Sequence, residues 1–234
     1  MSEILAIIPA GGIGKRMKSQ KPKQFMTLDD EPIIAITIRA LASTGLVNKF
    51  IVPTVDLIYT RKILQDRHPE LEILVCKGCK TRQDSIYNGL DCMKEAGWDP
   101  DYILVHDAVR ALLRKSTVER VINKAKETGA AIVARPVVDS LKLGHPEADS
   151  NIVKKTVSRD HLWYTQTPQV FKAETMIAAY ERAREDHFQG TDSAGLVERL
   201  QQEIHIVEGY PSNIKITTSE DLELAKLYFQ LGLE

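Results

Sequence analysis

The sequence predicts an α/β fold: a doubly wound, mostly parallel sheet with a protruding β-arm. Three observations carry that expectation. Short apolar runs alternate with helix-spaced segments from the first residues to about residue 135, the rhythm of successive β-α-β units. The first run, Ile4 to Pro9, empties into the glycine-rich turn Ala10-Gly11-Gly12-Ile13-Gly14. From Pro136 to about Arg159 the rhythm breaks into a polar stretch holding Gly144-His145-Pro146 and Asp149-Ser150-Asn151, with short alternating segments on either side. That stretch reads as a hairpin leaving the body, an arm over residues 138–160 of one domain spanning 1–234.

The elements follow in order. Ile33, Ile34, Ile36, Thr37, Ala40 and Leu41 mark a helix from Pro32 to Thr44, stopped by Gly45. Phe50–Val52 is a strand, and Asp56 caps a helix running to about His68. Leu71–Val75 is the third strand, Lys77–Thr81 a loop, Arg82–Glu95 a helix and Tyr102–Val105 a buried fourth strand. Ser116 is expected to cap a helix ending near Gly129, before the strand Ala131–Ala134. Beyond the arm, the expected elements are a strand at Leu162–Phe171, a helix from Ala173 to about His187, and a helix begun by Gly190-Thr191-Asp192. Strands at Ile204–Val207 and Asn213–Ile216 and a last helix capped by Ser219 complete the chain.

Composition bounds the function. The 234 residues are 43% hydrophobic with a net charge of −1, so neither nucleic acid nor an anionic membrane is attracted in bulk. Any anion site must be local. No apolar run approaches a membrane span, and no N-terminal leader pattern stands out, so a cytoplasmic location is expected. Cys76, Cys79 and Cys92 are an odd set. Cys76-Lys77-Gly78-Cys79 is either a redox pair, half of a zinc site without a second half, or two reduced thiols at a strand end.

Ligands in such sheets bind at the carboxyl ends of the strands, where three motifs fall together. The first is the glycine turn with Lys15, Arg16, Lys21 and Lys23 beside it, a means of holding phosphates. It is neither a dinucleotide fingerprint, since residue 17 is Met, nor a P-loop, since residue 9 is Pro and residue 16 is Arg. The second is Lys77 to Ser85, where a helix start with Arg82 and Ser85 can hold an anion or a base edge, or is an ordinary capped helix. The third is Val105-His106-Asp107-Ala108-Val109-Arg110. Its carboxylate can bind Mg²⁺ together with substrate phosphates, or simply pair with Arg110, which can itself grip a phosphate. Asp139-Ser140 and Lys215 are weaker candidates, read equally well as a turn and a solvated strand lysine.

The ordered set P-A-G-G-x-G-x-R-M, P-K-Q-F, R-x-x-S, V-H-D-A-x-R, P-V-x-D-S, T-P-Q-x-F, T-D-x-A and N-I-K-I-T-T, from Ile4 to Leu227, resembles the 2-C-methyl-D-erythritol 4-phosphate cytidylyltransferases of non-mevalonate isoprenoid synthesis. The resemblance implies a Rossmann-like nucleotidyltransferase that uses CTP and Mg²⁺ and forms a homodimer whose arm reaches the neighbouring subunit. It implies catalytic roles for Arg16, Lys23, Lys215 and Arg159. It implies CTP contacts at Ala10, Gly11, Gly12, Gly14, Gly78, Arg82 and Ser85. It implies acceptor contacts at Asp107, Arg110, Ser140, Thr167 and Thr191, with Asp107 also the metal carboxylate. The chain has Ala10-Gly11-Gly12 where the family usually has Ala-Ala-Gly, Cys79 where it usually has Gly, Ala111 where it has Pro, and Ser140 where it has Thr. Two other readings stand beside this one: the sister ribitol-5-phosphate cytidylyltransferases, which share Ala-Gly-Gly, and a nucleotide-binding protein without turnover.

Overall fold

The computed structural model describes residues 2–12, 21–147 and 150–233. Chain order begins with β1 (Ile4–Ile7), the two-residue strands β2 (Thr27–Leu28) and β3 (Glu31–Pro32), α1 (Ile33–Ala42), β4 (Lys49–Thr54) and α2 (Leu57–Arg67). It continues with β5 (Glu72–Lys77), α3 (Arg82–Glu95), β6 (Tyr102–Val105), α4 (Lys115–Thr128) and β7 (Ala130–Pro136). Then come β8 (Leu141–Glu147), β9 (Ser150–Val157), β10 (Trp163–Lys172), α5 (Ala173–Glu185), α6 (Ser193–Glu198), β11 (His205–Glu208) and α7 (Ser219–Gln230).

Seven strands form the main sheet in the order β11-β7-β10-β6-β1-β4-β5. All neighbouring pairs are parallel except those made by β10, which runs antiparallel to both β6 and β7. β1 lies between β4 and β6, so the winding reverses beside it. The crevice at such a reversal is where open α/β sheets take ligands.

Both faces of the sheet are covered, and β1 shows how. Ile4, Ala6 and Ile8 enter the core layer shared with α1 and α4. Leu5 and Ile7 enter the opposite layer with Ile86 and Leu90 of α3 and Met176 and Tyr180 of α5. Strand side chains alternate between faces, so a strand buried on both sides reads as an unbroken apolar run. The third apolar cluster joins Ile33 and Ile36 of α1 to Val109, Leu112, Ile216 and Ala225. It seats α7 and the segment before it against the β6 loop.

Caps decide where the helices begin, and two of them correct the sequence-based expectation. Asp56 caps α2 as expected, accepting from Tyr59 N at 2.9 Å. α7 is capped by Thr218 rather than Ser219, in a reciprocal capping box with Asp221. α4 starts at Lys115 after Arg114, which makes no capping hydrogen bond, so Ser116 lies inside the helix. A third correction concerns residues 213–216, which form no strand. Both edges of β7 are already taken by β10 and β11. The backbone of 213–216 turns instead to the β6 loop: Ile216 N donates to Val109 O at 3.0 Å, and Asn213 O accepts from Arg110 Nη1 at 2.7 Å.

β8 and β9 form a separate antiparallel hairpin, with a register shift between Leu143 and Gly144. Leu143, Ile152 and Val153 are exposed on it, as is Val138 at its base.

Candidate active site

Two cavities meet at the carboxyl ends of β1, β5 and β6. The first, about 140 Å³, is lined by residues 9–12, Lys23, Gln24, residues 79–82, Ser85, residues 107–109 and Lys215. The second, about 240 Å³, is lined by Arg82, Asp107, Arg110, residues 165–167, Gln169, Thr191, Asp192 and Lys215. Arg82, Asp107 and Lys215 belong to both.

The first cavity is built by close backbone approach. Ala10 N donates to Pro53 O and Gly78 N to Thr54 O, both at 2.7 Å. Gln24, buried, donates from Nε2 to Ala10 O at 2.7 Å. A Cβ on Gly78 would stand 3.2 Å from Gly11 Cα and 3.1 Å from the Thr54 carbonyl carbon. Only glycine lets the two turns lie against each other. A Cβ on Gly11 would meet Ser85 Oγ at 3.0 Å and Cys79 O at 3.2 Å, so the Gly11 of this chain gives that hydroxyl room. Ser85 Oγ accepts from Cys79 N at 2.9 Å and donates to Thr81 O at 2.8 Å. It shapes the loop at the N-terminus of α3, where unpaired backbone N–H groups favour anions.

Asp107 is the electrostatic centre. Its Oδ1 accepts from Arg82 Nε at 2.9 Å, and its Oδ2 faces Lys215 Nζ at 3.0 Å and Arg110 Nε at 3.3 Å. Burial alone would push this carboxyl up. The charges of Arg82, Lys215 and Arg110 outweigh burial and hold it well below the usual carboxylate range.

The polar groups around Asp107 form a chain of hydrogen bonds, in which Asn213 Oδ1 is left without a partner among the described residues. His106 Nε2 lies 3.0 Å from the Arg110 carbonyl, and Nδ1 lies 2.9 Å from Thr167 Oγ1. A carbonyl can only accept, so Nε2 carries the hydrogen and Nδ1 accepts from the Thr167 hydroxyl. That hydroxyl oxygen in turn accepts from Asp107 N at 3.2 Å. Burial pushes His106 down to about 4, so it stays neutral and this single tautomer fits. Across the site, Asn213 Nδ2 donates to Thr167 O at 2.8 Å, and Gln166 Nε2 donates to Tyr210 O at 3.1 Å. These amides hold the irregular segment that carries Lys215.

The structure thus brings together Ala10, Gly11, Gly12, Lys23, Arg82, Ser85, Asp107, Arg110, Thr167, Thr191 and Lys215. Gly78 supports the first cavity from behind. Gly14 and Arg16 lie outside the described residues. Ser140 and Arg159 line neither cavity; Arg159 is exposed, and its Nη1 donates to Val138 O at the base of the arm. Sequence reasoning gave no role to His106, Gln166, Asn213 and Gln169. His106, Gln169 and Asn213 stand inside the motifs V-H-D-A-x-R, T-P-Q-x-F and N-I-K-I-T-T, whereas nothing marked Gln166.

Among the described residues, no three His, Cys, Asp or Glu side chains cluster. Three of the roughly four lone-pair directions of the Asp107 carboxylate already face cations. The donor set fits Mg²⁺ arriving on a triphosphate, one carboxylate plus substrate oxygens, and not an ion held by protein alone.

Residues 4–231 match the family described as 2-C-methyl-D-erythritol 4-phosphate cytidylyltransferase. The curated protein of that name from Syntrophus aciditrophicus is 36% identical over 231 residues, 97% of this chain and 96% of the relative. The one from Shouchella clausii is 39% identical over 228 residues, 96% and 95%. The crystal structure of the Francisella tularensis enzyme superposes with a TM-score of 0.80 at 31% identity, covering 97% of this chain and 99% of that one. The family profile, the relatives and the superposition all run nearly the full length of the sequence: the chain belongs to the 2-C-methyl-D-erythritol 4-phosphate cytidylyltransferase family.

Proposed function

We propose that this chain transfers the cytidylyl group of CTP to 2-C-methyl-D-erythritol 4-phosphate, giving 4-diphosphocytidyl-2-C-methyl-D-erythritol and pyrophosphate. One observation carries the proposal beyond family membership: two cavities share the wall Arg82, Asp107 and Lys215. Nucleotidyl transfer needs such a wall, because two polyanions must meet at one phosphorus atom. The cytidine lies in the first cavity over Gly11, Gly12 and the start of α3, with Lys23 on the triphosphate; for Arg16 that role is implied by the family resemblance alone. The acceptor lies in the second, with Arg110, Thr167 and Thr191 around it.

An acceptor phosphate oxygen attacks the α-phosphorus of CTP. One P–O bond forms there, and the bond to the bridging oxygen of the β-phosphate breaks. The phosphate monoester is already anionic near neutral pH, so no general base is required. What the residues supply is alignment and charge neutralisation. Lys215 and Arg82, standing between the cavities, face the charge that develops during transfer. Asp107 orients both. Mg²⁺ would be held by Asp107 and the nucleotide phosphates, and when bound it neutralises phosphate charge.

The arm completes the site of a second copy. Its exposed Leu143, Ile152 and Val153, the marginal stability of an isolated hairpin in water, and the absence of Ser140 and Arg159 from either cavity of their own chain support that reading. Two-fold dimers are the commonest closed assembly. Among the described residues no helix is long and apolar enough to cross a membrane.

Pyrophosphate release, measured with each nucleoside triphosphate against methylerythritol phosphate and ribitol 5-phosphate, tests the reaction. Release with CTP and methylerythritol phosphate is expected. Release with ribitol 5-phosphate alone, or with no pair, overturns the proposal.

A further inference from the structure

We infer that Gln83 is a positioning residue for the acceptor side of the site: its side-chain amide holds the loop that presents Thr191 and Asp192 to the second cavity. The inference rests on reading that cavity as the acceptor pocket. Gln83 stands in the first turn of α3, next to Arg82, which pairs with Asp107, and two residues before Ser85 of the first cavity. Its Nε2 donates to Phe188 O at 2.9 Å, and its Oε1 accepts from Gly190 N at 2.9 Å. An amide that donates to one backbone carbonyl and accepts from the N–H two residues on fills the place a neighbouring strand would take.

The bridge runs beside a groove of about 410 Å³ lined by Tyr87, Asn88, Arg184 and His187. The Arg184 guanidinium lies 4.6 Å from the Tyr87 ring centroid, a contact between α3 and α5 that does not reach the loop. Among the described residues, no other hydrogen bond joins α3 to residues 187–192. The loop has other anchors, but they face elsewhere. A Cβ on Gly190 would meet Leu196 Cδ2 at 2.7 Å, and the Arg199 guanidinium lies 4.1 Å from the Phe188 ring centroid. Asp192 accepts from Gly195 N at 2.9 Å and from Gln169 Nε2 at 2.7 Å. These contacts tie the loop to α6 and β10. Gln83 supplies the hydrogen bonds between the loop and the helical turn that carries Arg82, beside the charge attraction of Asp192 for Arg82, and so helps set the distance between Thr191 and the wall shared by the two cavities.

The test is the Gln83→Met variant, which keeps length and apolar contact but removes both hydrogen bonds. Steady-state kinetics should show KM for methylerythritol phosphate raised about tenfold, with KM for CTP and kcat within about twofold. Amide exchange followed by NMR should be at least about tenfold faster at Gly190, whose N–H has lost its acceptor, and unchanged at Gly195. Gln83→Glu still accepts from Gly190 N but cannot donate to Phe188 O, so its acceptor KM should fall between the two. An equal rise in both KM values, or an unchanged acceptor KM, overturns the inference. A wild-type enzyme inactive with methylerythritol phosphate overturns the proposed reaction instead. The loop-holding role is then decided by exchange at Gly190, and unchanged exchange there sinks it.

Discussion

Replacing Asp107 with Asn leaves three cations facing an uncharged amide. Arg82 and Arg110 are largely enclosed, with side-chain exposures of 25% and 12%, whereas Lys215 is 40% exposed and can turn to water. Removing one partner of a buried ion pair costs roughly 3–5 kcal/mol. The escape of Lys215 places this variant near the lower end, about 3 kcal/mol, or a fall in Tm of about 6–12 °C for a domain of this size. Domain stabilities of about 5–15 kcal/mol leave the variant folded at room temperature. Turnover should fall at least about a hundredfold, since in the proposed reaction the same carboxylate orients the groups facing the developing charge. The pH dependence adds a second reading. The folded-state carboxyl is held below its ordinary value, so its stabilisation is complete above about pH 4 and is lost as pH falls through and below that value. The variant should therefore lack that part of the acid-induced loss. Calorimetry across acid pH and pyrophosphate release on the same preparations measure both effects. A folded variant that keeps near-normal turnover refutes the catalytic argument; an unchanged Tm refutes the electrostatic one.

Further outcomes are expected. Burial lowers His106 to about 4 from 6.5, so the unfolded chain takes up its proton first as pH falls. The wild type should therefore lose stability between pH 6.5 and about 4, and His106→Gln should lose less over that span in denaturant melts. Lys23→Ala and Lys215→Ala should lower kcat more than they raise KM, because their charge acts most strongly in the transition state; a pure KM effect would make them binding groups only. If the proposed shared-site dimer is right, Lys23→Ala and Arg159→Ala, each inactive alone, should recover up to about a quarter of normal activity when subunits exchange freely, since about half of the dimers would be mixed and each mixed dimer would have one intact site. No recovery after verified exchange places Arg159 in its own chain's site or in none.

The parallel core was legible because β1, β4 and β6 are buried on both faces and must be apolar without interruption. The direction of β10 was not. Its residues read as a strand either way, and its antiparallel course is set by the route the chain takes through the arm. Residues 213–216 misled for a related reason: Ile214 and Ile216 alternate like strand residues, but both enter the apolar cluster under α7. Asp107 and Arg110 were visible as charged residues directly after a buried strand. Gln166 and Asn213 were not, since their amides meet across a separation of 47 residues and nothing local marks either as a partner. Gln83 falls at an unspecified position of R-x-x-S, and nothing local singles it out. Its partners lie 105 and 107 residues away.

The triple pairing of Asp107 has a consequence for how the site meets its ligands. A cluster of lysine and arginine ordinarily gathers mobile salt ions, which dilute away or crowd in as the solution changes. Here one neutralising charge is tethered to the end of β6 and cannot be diluted. It keeps Arg82, Arg110 and Lys215 from repelling one another before any phosphate arrives. An incoming phosphate therefore competes with an internal counter-ion of fixed strength, and only its contacts with the exposed cations compete with dissolved salt. Inhibition of the enzyme by chloride salts should accordingly level off once the exposed cations are screened, leaving a residual affinity that the tethered carboxylate sets.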